Sequence, residues 1–133
     1  MRKDAGISEA EWERQLIEGC SKNERQAQSA LYQHYARKMY GVLLRYARNR
    51  HDAEDWLQEG FITVFKMLPT YRGDGALGGW IRKIMVNTAL MAIRKEVQFR
   101  EAALEDGIQV ASEDLPIDQL AMEDILSLLQ QLS

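Results

Sequence analysis

The stretch DAEDWLQEGFITVFKMLP, residues 52–69, predicts a helix with two opposed faces. At 100° per residue its central apolar residues fall within about 60° of one another. They are Leu57, Phe61, Val64 and Leu68, joined at the edges by Ala53, Trp56, Phe65 and Met67. The opposite side, within about 80°, carries an acidic stripe: Asp52, Asp55, Glu59, Ile62 and Lys66, with Gln58 at its margin. The helix is therefore expected to bury one face and turn carboxylates outward.

The carboxylates of this stripe do not form a catalytic or metal-binding pattern. General acid–base pairs need environments that separate two pKa values, and exposed neighbours on one helix face lack that difference. His51 and Glu54 are the nearest further metal donors, and no Glu-x-x-His or His-Glu-x-x-His spacing occurs. The sequence predicts no catalytic residue, no metal and no cofactor. Two interpretations stay open: a solvated face, or a protein-binding surface, which an exposed Ile62 would favour.

The rest of the chain extends the helical pattern. There are only two prolines, and apolar residues recur at helical spacing almost throughout. This predicts an all-α fold, a compact bundle of three to four helices. Helix starts are predicted at the capping residues Ser8, Asn23 and Asp52. The second helix is predicted to reach about Asn49, the third to stop at Pro69, and the fourth to run from about Leu77 or Trp80 to Phe99. Tyr46, Met39, Met85 and Met91 are assigned to the apolar side of their helices.

Charge divides the chain into two parts. All 17 Lys and Arg residues lie in residues 1–100, against 12 Asp and Glu, which makes that segment +5. Residues 101–133 contain 8 acidic residues and no basic one. This split predicts a polyanion-binding body. The predicted organisation is a helical domain over 1–99, an acidic linker over 100–116, and an amphipathic helix that begins an incomplete further domain over 117–133.

The cellular setting follows from composition. A single cysteine, Cys20, cannot form an internal disulfide. The sequence has no stretch of roughly 18 to 20 apolar residues and no signal-peptide layout. We expect a cytoplasmic protein without membrane insertion.

The loop TYRGDGALGGW, residues 70–80, combines glycines with aromatic and basic flanks. It is not a P-loop, since no Gly-Lys-Ser or Gly-Lys-Thr follows and no strand precedes it. A flexible connection is the simpler interpretation. The flanking residues are instead typical of a surface for single-stranded or flipped bases, which stack on aromatic rings while phosphates meet cations. These flanking residues are Tyr71, Arg72, Trp80, Arg82 and Lys83.

The fourth helix carries a polar and basic stripe of Lys83, Asn87, Leu90 and Arg94. Its members follow i, i+4, i+7, i+11 spacing and lie within about 60°. Asn pairs with base edges and cations with phosphates. A solvated edge of a core helix is an equally good interpretation of the residues alone.

Residues 51–95 resemble the second domain of bacterial RNA polymerase sigma factors of the extracytoplasmic-function (ECF) group. The pattern DAED-x-x-QE-x-F, the aromatic-Arg-Gly spacing after it, and Trp-x-x-x-Ile-x-x-Asn stand in order, and the resemblance reaches back to about residue 10. It implies an all-helical bundle that binds the polymerase clamp, recognises the promoter −10 element and opens the duplex without enzymatic activity.

The resemblance also implies roles for individual residues. Contact with the clamp coiled coil would come from the acidic stripe: Asp52, Asp55, Gln58, Glu59 and Ile62. Contact with the single-stranded non-template −10 strand would come from Tyr71, Arg72, Leu77, Trp80, Arg82, Lys83, Asn87 and Arg94. An anti-sigma factor is an implied further partner. The rival hypothesis is a helical module that binds only a protein regulator.

Two departures from the family pattern bear on these roles. Gly78 and Gly79 stand where the family often has bulky residues, which puts base preference in question. The family continues past the linker into a helix-turn-helix domain that reads the −35 element, and this sequence contains no recognition helix.

Overall fold

The computed structural model describes residues 7–73 and 75–105, and every regular element in these residues is a helix. The elements are α1 (Glu9–Ser21), α2 (Arg25–Leu44), α3 (Arg50–Met67), a 3-10 turn (Leu68–Thr70) and α4 (Leu77–Glu105). Helix α1 packs on α2 and the 3-10 turn, α2 packs on α3 and α4, and α3 packs on α4. The predicted all-α bundle is confirmed. The remainder of the predicted linker and the predicted C-terminal helix, residues 106–133, lie outside the described residues.

Helix α1 begins where the sequence predicts. Ser8 is the N-cap, and its hydroxyl accepts a hydrogen bond from the backbone N–H of Glu11 at 3.2 Å. This bond satisfies one of the four N–H groups that have no partner within the helix. The buried positions Trp12, Leu16 and Cys20 follow at four-residue spacing, so one face of α1 enters the core.

The predicted start of the second helix at Asn23 is wrong. Asn23 has φ +59°, the left-handed conformation that ends helices, and it terminates α1 instead. The N–H of Glu24 donates to the carbonyl of Gly19 at 2.9 Å, which closes the turn, and α2 starts at Arg25. Asparagine favours both helix caps and left-handed turns, which explains the error.

Helix α3 begins two residues before its predicted cap. Asn49 is the N-cap, and its Oδ1 accepts from the N–H of Asp52 at 2.8 Å. Asp52 therefore lies in the first turn, where a carboxylate interacts favourably with the helix dipole. Helix α2 correspondingly ends at Leu44, five residues before its predicted end.

Helix α4 extends to Glu105, beyond the predicted end at Phe99. The first residues of the predicted acidic linker are thus helical. An i,i+4 ion pair, Arg100 Nη2 to Glu96 Oε1 at 3.0 Å, supports this continuation.

One core unites the four helices. The central stripe predicted for α3 is confirmed, since Leu57, Phe61, Val64 and Leu68 are all buried. The core assignments of Tyr46, Met67 and Met91 are wrong, because these side chains are 39%, 46% and 59% exposed. Tyr46 lies in the turn after α2, which ends at Leu44, whereas Met67 and Met91 lie on helices but outside the faces that these helices bury.

Gly60 sets the spacing between α3 and α4. A methyl group at this position would overlap the Sδ atom of Met85, a fully buried side chain of α4. At the present approach of the two helices, a side chain at residue 60 would fit only if Met85 shifted. This approach also brings the outward face of α3 next to the polar face of α4.

Candidate functional site

The acidic stripe of α3 lies on the surface as predicted, but its side chains differ in their exposure to solvent. The Asp55 side chain is 57% exposed, and that of Asp52 is 22% exposed. Glu59 is exposed, while Gln58 and Ile62 are half-buried. Ile62 packs against the core, so it is not the exposed isoleucine that the sequence suggests.

Asp52 takes part in a local charge network. Its Oδ2 atom is shielded from solvent, without a hydrogen bond, and lies 3.6 Å from Arg48 Nε. Arg48 also pairs with Glu96 of α4 at 2.5 Å. Asp52 therefore stabilises the α2–α3 connection, and its exposed area is small.

Asp55 and Glu59 carry the accessible charge of the stripe. The Asp55 carboxylate is 3.2 Å from His51 Nε2, a contact that is ionic only when the imidazole is protonated. Within residues 7–73 and 75–105, Glu59 makes no side-chain ion pair. These two carboxylates, one turn apart, can meet a basic partner surface.

Tyr71 of the loop before α4 and Trp80 of α4 form an aromatic corner. The rings of Tyr71 and Trp80 are 5.0 Å apart between centroids and tilted by 46°. The Tyr71 hydroxyl donates to the carbonyl of Gly75 at 2.6 Å, which ties the two ends of the turn together. Gly73 and Gly75 have φ +81° and +90°, a region that other residues rarely adopt. Both glycines face open space, so a ligand can reach this backbone.

Exposed cations lie next to this corner in the sequence and further along α4. Arg72, Arg82, Lys83 and Arg94 are exposed, and none of them forms an ion pair with another residue in the described ranges. Asn87 is exposed as well. Within residues 7–73 and 75–105, no carboxylate would have to be displaced from these cations by an external polyanion.

Leu77 does not share this exposure. Its side chain is fully buried in the core, so Leu77 presents no surface to a ligand here, and its contact with DNA stays a prediction. Leucine at a loop–helix junction gives no sequence signal that separates a core anchor from a ligand contact.

The two glycines before Trp80 also differ. A Cβ atom at Gly78 would lie 3.3 Å from Cε1 of Tyr35, whereas one at Gly79 would meet open space. Gly78 therefore permits close packing of α4 on α2. Only position 79 has room for the bulky residue that the family pattern often has.

A groove of about 300 Å³ between α3 and α4 joins residues that the sequence assigns to separate surfaces. Glu59 of the acidic stripe and Asn87 of the basic stripe both line it. Thr63, Met91 and Lys95 also line it and are missed by the sequence analysis.

A second groove, between α1 and the loop residues Tyr71, Arg72, Gly73 and Gly75, is lined by Glu13, Arg14 and Ile17, which the sequence analysis also misses. In the sequence these residues are simply part of an amphipathic helix. Their position next to the loop results from the packing of α1 in the fold.

Other chemistry finds no support in the described part of the chain. No group of three His, Cys, Asp or Glu side chains there could hold a metal ion. Burial raises the pKa of the Cys20 thiol to about 12, with the Glu24 carboxylate adding to the effect, so this thiol stays protonated near neutral pH. Among the described helices, none combines the length and apolarity that crossing a membrane requires.

Comparison with known proteins identifies the family. Residues 31–99, just over half of the chain, match the sigma-70 region 2 family model. The chain therefore belongs to the sigma-70 region 2 family and is of the ECF type, as its relatives indicate. The family match begins at residue 31, whereas the resemblance described above reaches back to about residue 10.

The relatives are sigma factors from several bacteria. The chain is 33% identical to the RNA polymerase sigma-H factor of Pseudomonas aeruginosa over 79 residues, which cover 59% of this chain and 41% of the relative. It is 36% identical to ECF RNA polymerase sigma factor SigE of Mycolicibacterium smegmatis over 91 residues, 68% of this chain and 35% of the relative. It is 34% identical to the ECF RNA polymerase sigma-E factor of Escherichia coli K12 over 83 residues, 62% of this chain and 43% of the relative. The matches thus span less than half of each relative's length.

Proposed function

We propose that this chain is the part of an ECF sigma factor that binds RNA polymerase core and recognises the promoter −10 element. The accessible carboxylates of Asp55 and Glu59 bind the basic coiled coil of the polymerase clamp. The aromatic corner and the α4 stripe bind the non-template strand as the duplex opens. The chain catalyses no reaction in this role.

One observation carries the proposal: an aromatic pair lies next to exposed cations that form no ion pair with any residue of 7–73 and 75–105. Stacking on an aromatic ring is worth about 1–3 kcal/mol per base, and the cations add attraction to the phosphates. Tyr71 and Trp80 provide the rings, and Arg72 and Lys83 stand beside them. Unstacking a base step costs a few kcal/mol, which captured bases can return.

The test is strand binding by the complex of this chain with RNA polymerase core. Replacing Asn87 and Arg94 together by Ala should lower affinity for a single-stranded −10 oligonucleotide by roughly 10- to 100-fold, because one base-edge and one phosphate contact are lost. Fluorescence anisotropy measures this affinity. Gln33→Ala with Arg37→Ala, an exposed pair on α2, is the control with the same change in charge. Equal affinity of the wild type and the Asn87/Arg94 variant would reject the assignment of α4 to DNA.

A module that binds only a protein regulator, such as an anti-sigma factor, is the second candidate. Exposed apolar side chains along α4 favour it: Leu90 is 39%, Val97 49% and Leu104 79% exposed. Large apolar side chains left in solvent often mark protein contacts. The strand-binding measurement separates the candidates, since this second function predicts no −10 binding by the wild type even with core present.

A further inference from the structure

An exposed stripe runs along the outer face of α4, opposite the side that enters the core. At 100° per residue its five members fall within about 80° of one another. They are Leu90, Arg94, Val97, Glu101 and Leu104, and all five are exposed. The apolar members recur at every seventh residue, the spacing with which helices pack along a shared seam. The outer stripe of α4 therefore has the pattern of a helix-binding face.

The outer stripe is divided into a charged edge and an apolar edge. On a helical projection, Arg94 and Glu101 lie on one side, whereas the three apolar residues lie on the other. Neither Arg94 nor Glu101 forms an ion pair with another residue of 7–73 or 75–105. A helix that fits this stripe therefore presents an apolar row, a carboxylate opposite Arg94 and a cation opposite Glu101.

A second copy of α4 meets these requirements when it runs antiparallel to the first. A two-fold axis at Val97 places Leu90 of one copy beside Leu104 of the other, because each lies about 10.5 Å along the helix from the axis. Arg94 lies about 4.5 Å before the axis and Glu101 about 6 Å after it, so the antiparallel arrangement brings opposite charges to nearly the same level. A parallel arrangement would instead place like charges side by side.

We propose that two copies of this chain associate through the outer stripe of α4, antiparallel about Val97. The apolar rows pack on each other, and two ion pairs between Arg94 and Glu101 close the charged edge. One helix face about 21 Å long buries less than the roughly 1,200 Å² typical of stable complexes, so the dimer is transient. Leu90 and Arg94 also belong to the stripe proposed to contact the −10 strand, so dimer formation and strand binding exclude each other. This last consequence alone rests on the proposed function.

Analytical ultracentrifugation of the full chain, without polymerase or DNA, measures this association. The average mass of the wild type should rise toward twice the monomer mass as the concentration increases into the millimolar range. Arg94→Glu should weaken dimer formation by roughly 10-fold, because two ion pairs become like-charge contacts. Arg94→Glu combined with Glu101→Arg should restore dimer formation to within about 3-fold of the wild type, because the ion pairs form again with exchanged charges. A wild type that stays monomeric, or a double variant as weak as Arg94→Glu, overturns the inference.

Cross-linking through Val97→Cys tests the position of the two-fold axis. The two introduced thiols face each other at the axis, so mild oxidation should join two chains by a disulfide that a non-reducing gel detects. Gln98→Cys is the matched control, an exposed neighbour outside the stripe, and it should cross-link several-fold more slowly. Cys20 is buried and does not compete, and equal melting temperatures verify that both variants fold. Equal cross-linking of the two variants overturns the antiparallel arrangement about Val97. The strand-binding measurement tests the proposed function independently of these results.

Discussion

The acidic stripe of α3 and the loop before α4 present opposite charges by different structural means. The stripe lies on an uninterrupted helix, where Asp55 and Glu59 project one turn apart from a backbone with satisfied hydrogen bonds. The loop has two glycines at positive φ and a tyrosine bonded to the backbone four residues on. A helix face suits a repeating, charge-based contact with another protein. An irregular loop suits a ligand that has to reach the backbone.

Charge reversal on the stripe should produce the largest effect. If the stripe binds the clamp as proposed, replacing Asp55 and Glu59 together by Lys places like charges against a basic surface, which costs several kcal/mol. Binding to polymerase core should fall by at least about 100-fold in a pull-down or titration. The double variant should leave the loop before α4 unchanged. The near-UV circular dichroism of Tyr71 and Trp80 should therefore match that of the wild type.

Glu18→Lys with Glu101→Lys is the control, because it reverses two exposed carboxylates elsewhere with the same total charge. This control should bind core with an affinity within a few-fold of the wild type. Equal losses in both double variants would mean that net charge, rather than the stripe, determines binding.

A substitution at Gly60 tests whether the stripe depends on close helix packing. Gly60→Leu inserts a side chain where Met85 already lies, and overpacking of this kind costs about 1–3 kcal/mol. Chemical denaturation should therefore show a free energy of unfolding lower by about 2 kcal/mol.

Gly41→Ala is the counterpart at an open helix position, with nothing within 4 Å of the added Cβ atom. It should raise the free energy of unfolding by about 0.5–1 kcal/mol, because alanine favours the helix. A Gly60→Leu protein as stable as the wild type would refute the packing role of this glycine.

Alkaline pH should cause the smallest of the expected losses in the free energy of unfolding, through ionisation of Cys20 on α1. The unfolded Cys20 thiol ionises near pH 9.0, while the folded thiol keeps its proton to about pH 12. Below pH 9.0 the thiol is neutral in both the folded and the unfolded protein. As the pH rises from 9.0 toward 12, the thiol ionises only in the unfolded protein, so the free energy of unfolding falls. The expected loss at pH 10 is about 1 kcal/mol.

Denaturation at pH 7 and pH 10 of the wild type and Cys20→Ala measures this contribution. The wild type should lose more stability between the two pH values, since Tyr35, the other buried acid on this side, is common to both proteins. Identical losses would show that the thiol does not contribute.

Sequence periodicity predicts the helices and the core of α3 because burial follows the 3.6-residue repeat. It misplaces the start of α2, since Asn23 suits a cap and a left-handed turn equally well. The family resemblance assigns Leu77 to the ligand and the apolar pattern assigns Met91 to the core, whereas the structure buries Leu77 and exposes Met91. Whether a side chain at the edge of a face is covered depends on the neighbouring helix. The same reason hides Glu13, which reaches the loop only through the packing of α1.

The continuity of α4 couples the positions of its two ends. Its 29 residues form one helix without a break, about 43 Å long at 1.5 Å per residue. A tilt of about 10° around the buried Ala89 would move Glu105 by roughly 4 Å and Trp80 by roughly 2 Å in the opposite direction. Because Trp80 and Glu105 belong to one helix, a rigid-body displacement of one end of α4 would also displace the other.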